Sequence, residues 1–340
     1  MHRYLGYKKS SIRQSLTVIS CLLLAGSLLA ACGKTQEVSG AQSSPKAAQT
    51  PASSPVADKK SAPATELVVK DEQGHEVKIP ASPKRVFAPY LEDSLLKLGV
   101  KPVAQWANGS LGHDYLQDQL QGIPKADFSA GSPSPEVIMS FNPDLIILQT
   151  ATYGAKGVYE QYAKIAPTYV FNSASGEVEK SLATIGKLLG KSSEADQALK
   201  AYEQKVKDAK EKLAKAVGGK KVAVIRFAAK GISMMGGNYL AGNVVHQQLG
   251  LGKSKLVEKE NSAPISMEVL PQLDADYIFV INQYGQGTEK LKEMTSSPIW
   301  NSIPAVKAKH VYEVSDKYWL GSGLIAYEKI IDDVLKNIVK

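Results

Sequence analysis

One side chain is placed for covalent modification: Cys32, which closes a segment where Arg3, Lys8, Lys9 and Arg13 precede an apolar run from Leu16 to Leu29. Leu29-Ala30-Ala31 then lead directly into the thiol. A basic stretch, a short apolar run and small residues before a cysteine form, in that order, a bacterial lipobox: the segment directs export, and the cysteine is lipidated and becomes the new first residue. Thr17, Ser20, Gly26 and Ser27 interrupt the run, which is too short for a comfortable membrane span. The alternative, an ordinary secretory peptide with an incidental cysteine, leaves Cys32 without a role. No cysteine follows it, so a mature chain has neither an internal disulfide nor a thiol nucleophile.

Catalytic constellations are missing from the rest of the sequence. There is no G-x-S-x-G elbow and no H-E-x-x-H pair, and His2, His75, His113, His246 and His310 are scattered without metal-ligand spacing. Gly252-Lys253-Ser254 ends like a P-loop, but Gln247 stands where the first glycine is required. Gly236-Gly237 and the Gly250/Gly252 pair read as turn and helix-end glycines. No enzyme activity, catalytic residue, metal ligand or cofactor is expected.

The remaining chemistry is recognition. Arg226 ends the apolar run Val222 to Ile225, so it either faces a ligand at a strand mouth or pairs in a structural salt bridge. Trp106 and Tyr153 follow predicted strands, where α/β sheets open onto ligand crevices, with plain packing as the alternative. Glu136 and Glu268 occupy equivalent places in an internal echo. Ser134-Pro135-Glu136-Val137-Ile138 runs into Asn142-Pro143-Asp144-Leu145, and Ser266-Met267-Glu268-Val269-Leu270 runs into Asp274-Ala275-Asp276-Tyr277. Each copy predicts a serine-capped short helix followed by an aspartate and a buried strand. An acid in a first helical turn favours the macrodipole by about 0.3–1 kcal/mol whatever its partner, so the position alone does not assign a role.

These residues need elements to hold them, and the sequence supplies an α/β pattern. The chain has 340 residues, enough for two domains, with 44% hydrophobic and 22% charged residues, which excludes a mainly disordered or collagen-like protein. Its formal charge of +8 is concentrated in residues 1–65, leaving little excess from Glu66 onward and no footprint for nucleic acid. Residues 1–31 are read as the leader. Residues 32–65, rich in Ser, Ala, Pro, Gln and Lys, are read as a disordered tether. From Glu66 strands are predicted at Glu66 to Val69, Glu76 to Ile79, Arg85 to Ala88, Pro102 to Gln105, Leu145 to Leu148, Thr168 to Phe171, Lys221 to Phe227, Ile232 to Met235, Tyr277 to Ile281 and His310 to Glu313. Helices are predicted near Leu91 to Leu98, Pro135 to Phe141, Val178 to Leu189, Tyr239 to Leu249, Met267 to Leu273 and Leu324 to Val339.

Ser193 to Val217 stands apart. It lacks Gly and Pro, carries Leu199, Tyr202, Val206, Ala209 and Leu213 at spacings of three and four, and stops at Gly218-Gly219. It predicts a strut between a first lobe at 66–192 and a second at 218–340, both α/β with mostly parallel sheets. A surface helix within one domain is the alternative.

Several stretches together resemble the ferric-siderophore and cobalamin substrate-binding lipoproteins of ABC importers. They are Asp71-Glu72-Gln73-Gly74 through Pro83-Lys84-Arg85-Val86, Leu98-Gly99-Val100-Lys101-Pro102-Val103, the twin units above, and Ser297-Pro298-Ile299-Trp300 through His310-Val311-Tyr312 to Trp319. The resemblance covers about residues 66–340 and implies two lobes joined by one long helix, little hinge motion, and a ligand held in the cleft between them. It implies that Glu136 and Glu268 dock the permease dimer. It also places Arg226 and Lys230 on the ligand, with a solvated turn lysine as the alternative for Lys230, and it makes Tyr318 and Trp319 a second aromatic lip; Tyr90 and Tyr239 are further candidates, and His113 is either a ligand contact or a surface loop residue. The implied cargo is iron already wrapped by its chelator, a siderophore of hydroxamate or carboxylate type. A cobalamin or haem receptor, a secreted enzyme acting on such chelates and a non-transport envelope lipoprotein are the alternatives. A monomer anchored at the extracytoplasmic face of a Gram-positive membrane is expected.

Overall fold

The computed structural model describes residues 66–237, 239–259 and 261–339. The leader, the tether and Cys32 lie outside the described residues.

Strands β1 (Glu66–Lys70) and β2 (Glu76–Pro80) form an antiparallel hairpin. They are followed by β3 (Val86–Phe87), β4 (Gln105–Ala107), β5 (Lys125–Asp127), β6 (Leu145–Leu148) and β7 (Thr168–Val170). A parallel sheet runs β3-β6-β7, and β4 pairs with β5. The helix Ser192–Val217 comes next, 26 residues and so about 39 Å long. Beyond it lie β8 (Lys221–Ala228), β9 (Gly231–Met235), β10 (Gly252–Lys253), β11 (Ser262–Pro264), β12 (Tyr277–Asn282) and β13 (Val311–Val314). Their sheet runs β11-β9-β8-β12-β13 with β10 also on β8; β9 and β11 are antiparallel and the other pairings parallel. Three small sheets thus precede the long helix in the chain and one six-stranded sheet follows it, in keeping with the two-lobe α/β architecture the sequence predicts.

Several local expectations shift for physical reasons. The strand expected from Pro102 begins at Gln105, because proline has no N–H for a ladder. The helix expected over Met267–Leu273 shrinks to a single 3₁₀ turn, Leu270–Gln272: Pro271 lacks the N–H and disfavours helical backbone at the residue before it. The Tyr239–Leu249 helix becomes a short α turn at Leu240–Gly242 followed by a π-helical turn at Asn243–Gln248. Ser134 precedes the helix Pro135–Ser140 in extended backbone but makes no side-chain cap bond.

The echoed aspartates have the same work in both lobes. Asp144 accepts hydrogen bonds from the backbone N–H groups of Lys84 and Arg85 at 2.7 and 2.9 Å, and its own N–H returns to the Arg85 carbonyl at 2.8 Å. Asp276 accepts from the Lys221 N–H at 2.7 Å and donates its N–H to the Lys221 carbonyl at 2.8 Å. Each therefore fixes the start of one central strand, β6 or β12, against its neighbour, β3 or β8, and so sets the level at which the strands end.

Each lobe has an apolar cluster of its own, around Phe87, Ile146 and Tyr162 in the first and around Ile225, Ile278 and Trp300 in the second, and a further cluster joins them. This joining cluster runs from Leu91 and Leu95 through Tyr202, Ala209 and Leu213 of the long helix to Ile330, Ile331 and Val334 of the C-terminal helix Leu324–Ile338. At its centre the Asp93 carboxylate, fully buried in the first-lobe helix Glu92–Lys97, accepts from the backbone N–H groups of Ile325 and Ala326, each at 3.0 Å, and from the Tyr115 hydroxyl at 2.9 Å. It satisfies donors at the open end of a helix in the other lobe. Burial pushes its carboxyl above the usual carboxylate range, opposed by these donors. Gly323 makes the approach possible, since a Cβ there would lie 2.1 Å from the Asp93 carboxyl carbon. Lys97 and Glu328 add an ion pair at 2.5 Å between the same two helices.

Two outcomes follow. Asp93→Ala leaves buried donors unpaired and should lower unfolding free energy by about 2–3 kcal/mol in urea, with unchanged stability contradicting the interlock. Burial acts to raise the Asp274 carboxyl, but hydrogen bonds from Lys221 Nζ, Ser254 Oγ and the Lys255 N–H outweigh it and lower it from 3.8 to about 2. Its stabilisation is therefore present above pH 3.8 and lost as pH falls through about 2, so the wild-type and Asp274→Asn unfolding curves should differ at pH 6 and converge near pH 2.

Candidate functional site

A cavity of about 330 Å³ opens between the lobes. Tyr90, Trp106, His113 and Asp114 line it from the first lobe, and Tyr284, Asp316, Lys317 and Gly321 from the second. Tyr90 follows β3, His113 and Asp114 follow β4 and Tyr284 follows β12, so C-terminal strand ends converge here; Trp106, expected in a loop after a strand, is instead the middle residue of β4, because that strand starts later than predicted. A larger open groove of about 550 Å³ runs beside the long helix, lined by Glu179, Tyr202, Lys207, Lys210, Glu211 and Gln248, but it gathers no comparable aromatic cluster.

Two tyrosines are held in left-handed backbone. Tyr90 has φ 68° and occupies the third position of a turn closed by the Leu91 N–H on the Ala88 carbonyl, after Pro89. Such a turn ordinarily takes glycine there. Tyr284 has φ 52°, and its N–H donates to Asp316 Oδ2 at 2.6 Å. Non-glycine residues in this region carry strain that the surrounding structure must hold in place, and such positions cluster at functional sites.

The first-lobe wall is packed edge to face. The Tyr90 ring meets Trp106 at 4.9 Å and 85° and His113 at 5.0 Å, while His113 stacks on Trp106 at 5.6 Å. Behind them Glu92 is fully buried: Oε1 accepts from the Trp106 N–H at 2.5 Å, and Oε2 lies 2.9 Å from His113 Nδ1 as an ion-pair contact without hydrogen-bond alignment. Tyr153 packs on Phe128 at 4.7 Å. Burial raises its phenol, and the polar groups of Trp106 and Gln149 act against that rise. Burial likewise raises Tyr90, helped by Tyr284, Tyr239, Tyr153 and Glu92, and raises Tyr284, helped by Asp316 and Tyr239 and opposed by Arg226. These phenols are neutral donors at physiological pH.

Arg226 is half-buried inside β8, which continues past it to Ala228, so it does not end the strand. Its Nε is buried without a hydrogen-bonding partner among the described residues, as are Trp106 Nε1 and Gln149 Oε1. Tyr239 is exposed, Lys230 is an exposed residue at the tip of the β8–β9 hairpin, and neither they nor Arg226 and Tyr153 belong to the cavity lining.

The predicted second lip is corrected. Trp319 is fully buried against Phe279 at 4.9 Å and donates from Nε1 to Asp333 Oδ2 at 2.9 Å; the Tyr318 hydroxyl donates to the same oxygen at 2.8 Å. Both rings are fastened to the C-terminal helix and turned from the cavity, and Tyr284 supplies the second-lobe aromatic instead. Sequence reasoning missed Tyr284, Gln149, Glu92, Asp114, Asp316 and Lys317. Tyr284 had a usable signal, an aromatic just after a predicted strand, the same rule that picked out Trp106.

Glu136 and Glu268 are both exposed, away from the cleft lining. The Glu136 carboxyl is held below its usual range by the Ser134 side chain and its own N–H. Val137 and Met139 beside it are exposed apolar side chains. No described helix is long and apolar enough to cross a membrane.

Residues 93–318 match the model of the periplasmic binding protein family, and the chain belongs to that family. A probable siderophore-binding lipoprotein of Bacillus subtilis is 26% identical over 97% of this chain and 99% of its own. An iron(3+)-hydroxamate-binding protein of the same organism is 29% identical over 94% of this chain and 96% of its own. The crystal structure of Staphylococcus aureus SirA complexed with staphyloferrin B superposes with a TM-score of 0.68 and 28% identity, covering 80% of this chain and 98% of that one. This is the two-lobe fold of siderophore-binding proteins.

The backbone at Tyr90 gives a direct check. Because glycine tolerates left-handed backbone and alanine does not, Tyr90→Gly should be more stable than Tyr90→Ala by about 1 kcal/mol in urea; the reverse order would contradict the turn.

Proposed function

We infer that this chain is the substrate-binding lipoprotein of an ABC iron importer, capturing a ferric siderophore in the cleft between its lobes and delivering it to the membrane permease. The observation that carries this is the cleft itself: strained tyrosines from opposite lobes line it together with Trp106, while Arg226, outside that lining, keeps a buried Nε without a partner among the described residues. Aromatic faces suit the apolar perimeter of a bulky chelate, and a guanidinium suits its oxygen atoms. Near full-length similarity to siderophore-binding relatives supports the same reading. Iron arrives as cargo inside its chelator, of hydroxamate or carboxylate type, so the protein needs neither a cofactor nor catalytic residues.

A lipid on Cys32 anchors the chain at the extracytoplasmic face, and residues 33–65 give it reach. The lipoprotein name of a Bacillus relative supports that placement on a Gram-positive surface. Glu136 and Glu268, one exposed acid in each lobe, are the contacts to the permease dimer, and the apolar Val137 and Met139 would enlarge the first of them. The chain acts as a monomer.

Of the three tryptophans, Trp300 and Trp319 are buried and Trp106 alone lines the cleft. Ferric siderophore should therefore quench wild-type fluorescence, and Trp106→Phe should remove most of the change; full quenching without Trp106 would place the ligand elsewhere. In cells, Glu136→Ala with Glu268→Ala should keep chelate affinity while iron uptake falls about tenfold or more, a change of about 1.4 kcal/mol in the coupling step. Unchanged uptake in the double variant would refute the docking role.

A further inference from the structure

Resting on the siderophore reading, the charges around the cleft narrow the class of chelate. Three hydroxamates neutralise Fe³⁺, whereas citrate-type and tris-catecholate complexes carry net negative charge. A cleft for an anionic complex needs cations in excess, because charge complementarity selects partners and like charges are repelled.

Among the described residues no such excess surrounds the cavity. Lys317 is the permanent cation of the lining, with Arg226 outside it but acting on Tyr284; against them stand Asp114 and Asp316 in the lining and Glu92 behind it, acting on Tyr90. Glu92 is fully buried behind Trp106 and His113, so solvent screens it poorly. Asp316 is fastened to the Tyr284 N–H at 2.6 Å and stays beside the cavity. Asp114 and Lys317 come from opposite lobes and lie 3.4 Å apart across the mouth, with side chains 55% and 56% exposed. An exposed pair of this kind is weak, so a ligand readily separates it. Separation frees Lys317 but leaves Asp114 at the same mouth, and the local charge does not become positive. Even with His113 protonated, cations only equal anions. The remaining wall is aromatic with neutral phenols.

We propose that the cleft selects ferric chelates without net negative charge, trihydroxamates above all, and that Asp114 is the residue that turns anionic chelates away. Arg226 then donates to the ligating oxygens of a neutral complex rather than balancing a polyanion.

Fluorescence titrations of the wild-type protein and of Asp114→Asn and Asp114→Lys, with ferrichrome, ferric citrate and a ferric tris-catecholate, test this. Wild type should bind ferrichrome about 100-fold more tightly than ferric citrate, and Asp114→Lys should narrow that ratio about tenfold, with Asp114→Asn intermediate. Ferric citrate or the tris-catecholate bound as tightly as ferrichrome, or a ratio unmoved in both variants, overturns the inference and leaves the siderophore reading standing. Binding of none of the three by folded protein overturns that reading and this inference together.

Discussion

A carboxylate buried away from water is tolerated only where protein donors replace the solvent it has lost, and Asp93 finds those donors across the lobe boundary. Two of its three partners belong to the N-terminal turn of the C-terminal helix, whose own N–H groups would otherwise be unpaired. Each lobe therefore completes the polar accounting of the other. Sliding or opening the lobes at this point would strand a buried charge and two buried donors at once. The shared apolar cluster and the Lys97–Glu328 pair act in the same direction.

The cleft follows from that constraint. Asp144 and Asp276 fix where the central strands of each lobe begin, the strands end at a common level, and the loops that follow carry Tyr90, Gln149 and Tyr284 to the boundary. Left-handed backbone at Tyr90 and Tyr284 persists because a braced frame holds it: Asn282 accepts from the Gly287 N–H at 3.1 Å, and Asp316 accepts from that of Tyr284. Gly287 itself packs too close to the Phe227 carbonyl for any Cβ, at 2.4 Å. A site assembled in this way meets its ligand with little reorganisation, which lowers the ordering cost of binding.

Elements with strong periodicity were legible in the sequence. The long helix matches its predicted span to within one residue at its start because its stripe and its terminal glycines are local signals, and β6, β8 and β12 are built on apolar runs. The twin aspartates were legible as a repeat, though not as clamps on the neighbouring strands. Strands β5, β10 and β11 are two or three residues long and exist only through their partners, so no local pattern announces them. Trp106 and Tyr153 were reached through the rule of C-terminal strand ends, and Tyr90 only as a further candidate. Trp319 was misplaced because a tryptophan beside glycines has the same local sequence whether it lines a cleft or fills a core, and the deciding partner, Asp333, lies on the following helix. Asp93 left no trace either, since an acid in a first helical turn reads as a dipole effect until its partners in the other lobe are seen.

The central claim is that the interlocked lobes present a preformed cleft. With no cysteine after Cys32, spin labels at Lys164→Cys and Lys292→Cys report one defined distance between the lobes. Pulsed electron resonance should give a single narrow distribution that moves by less than about 2 Å when ferric siderophore is added to saturation. A broad distribution in the free protein, or a shift of more than about 5 Å on binding, would contradict the account.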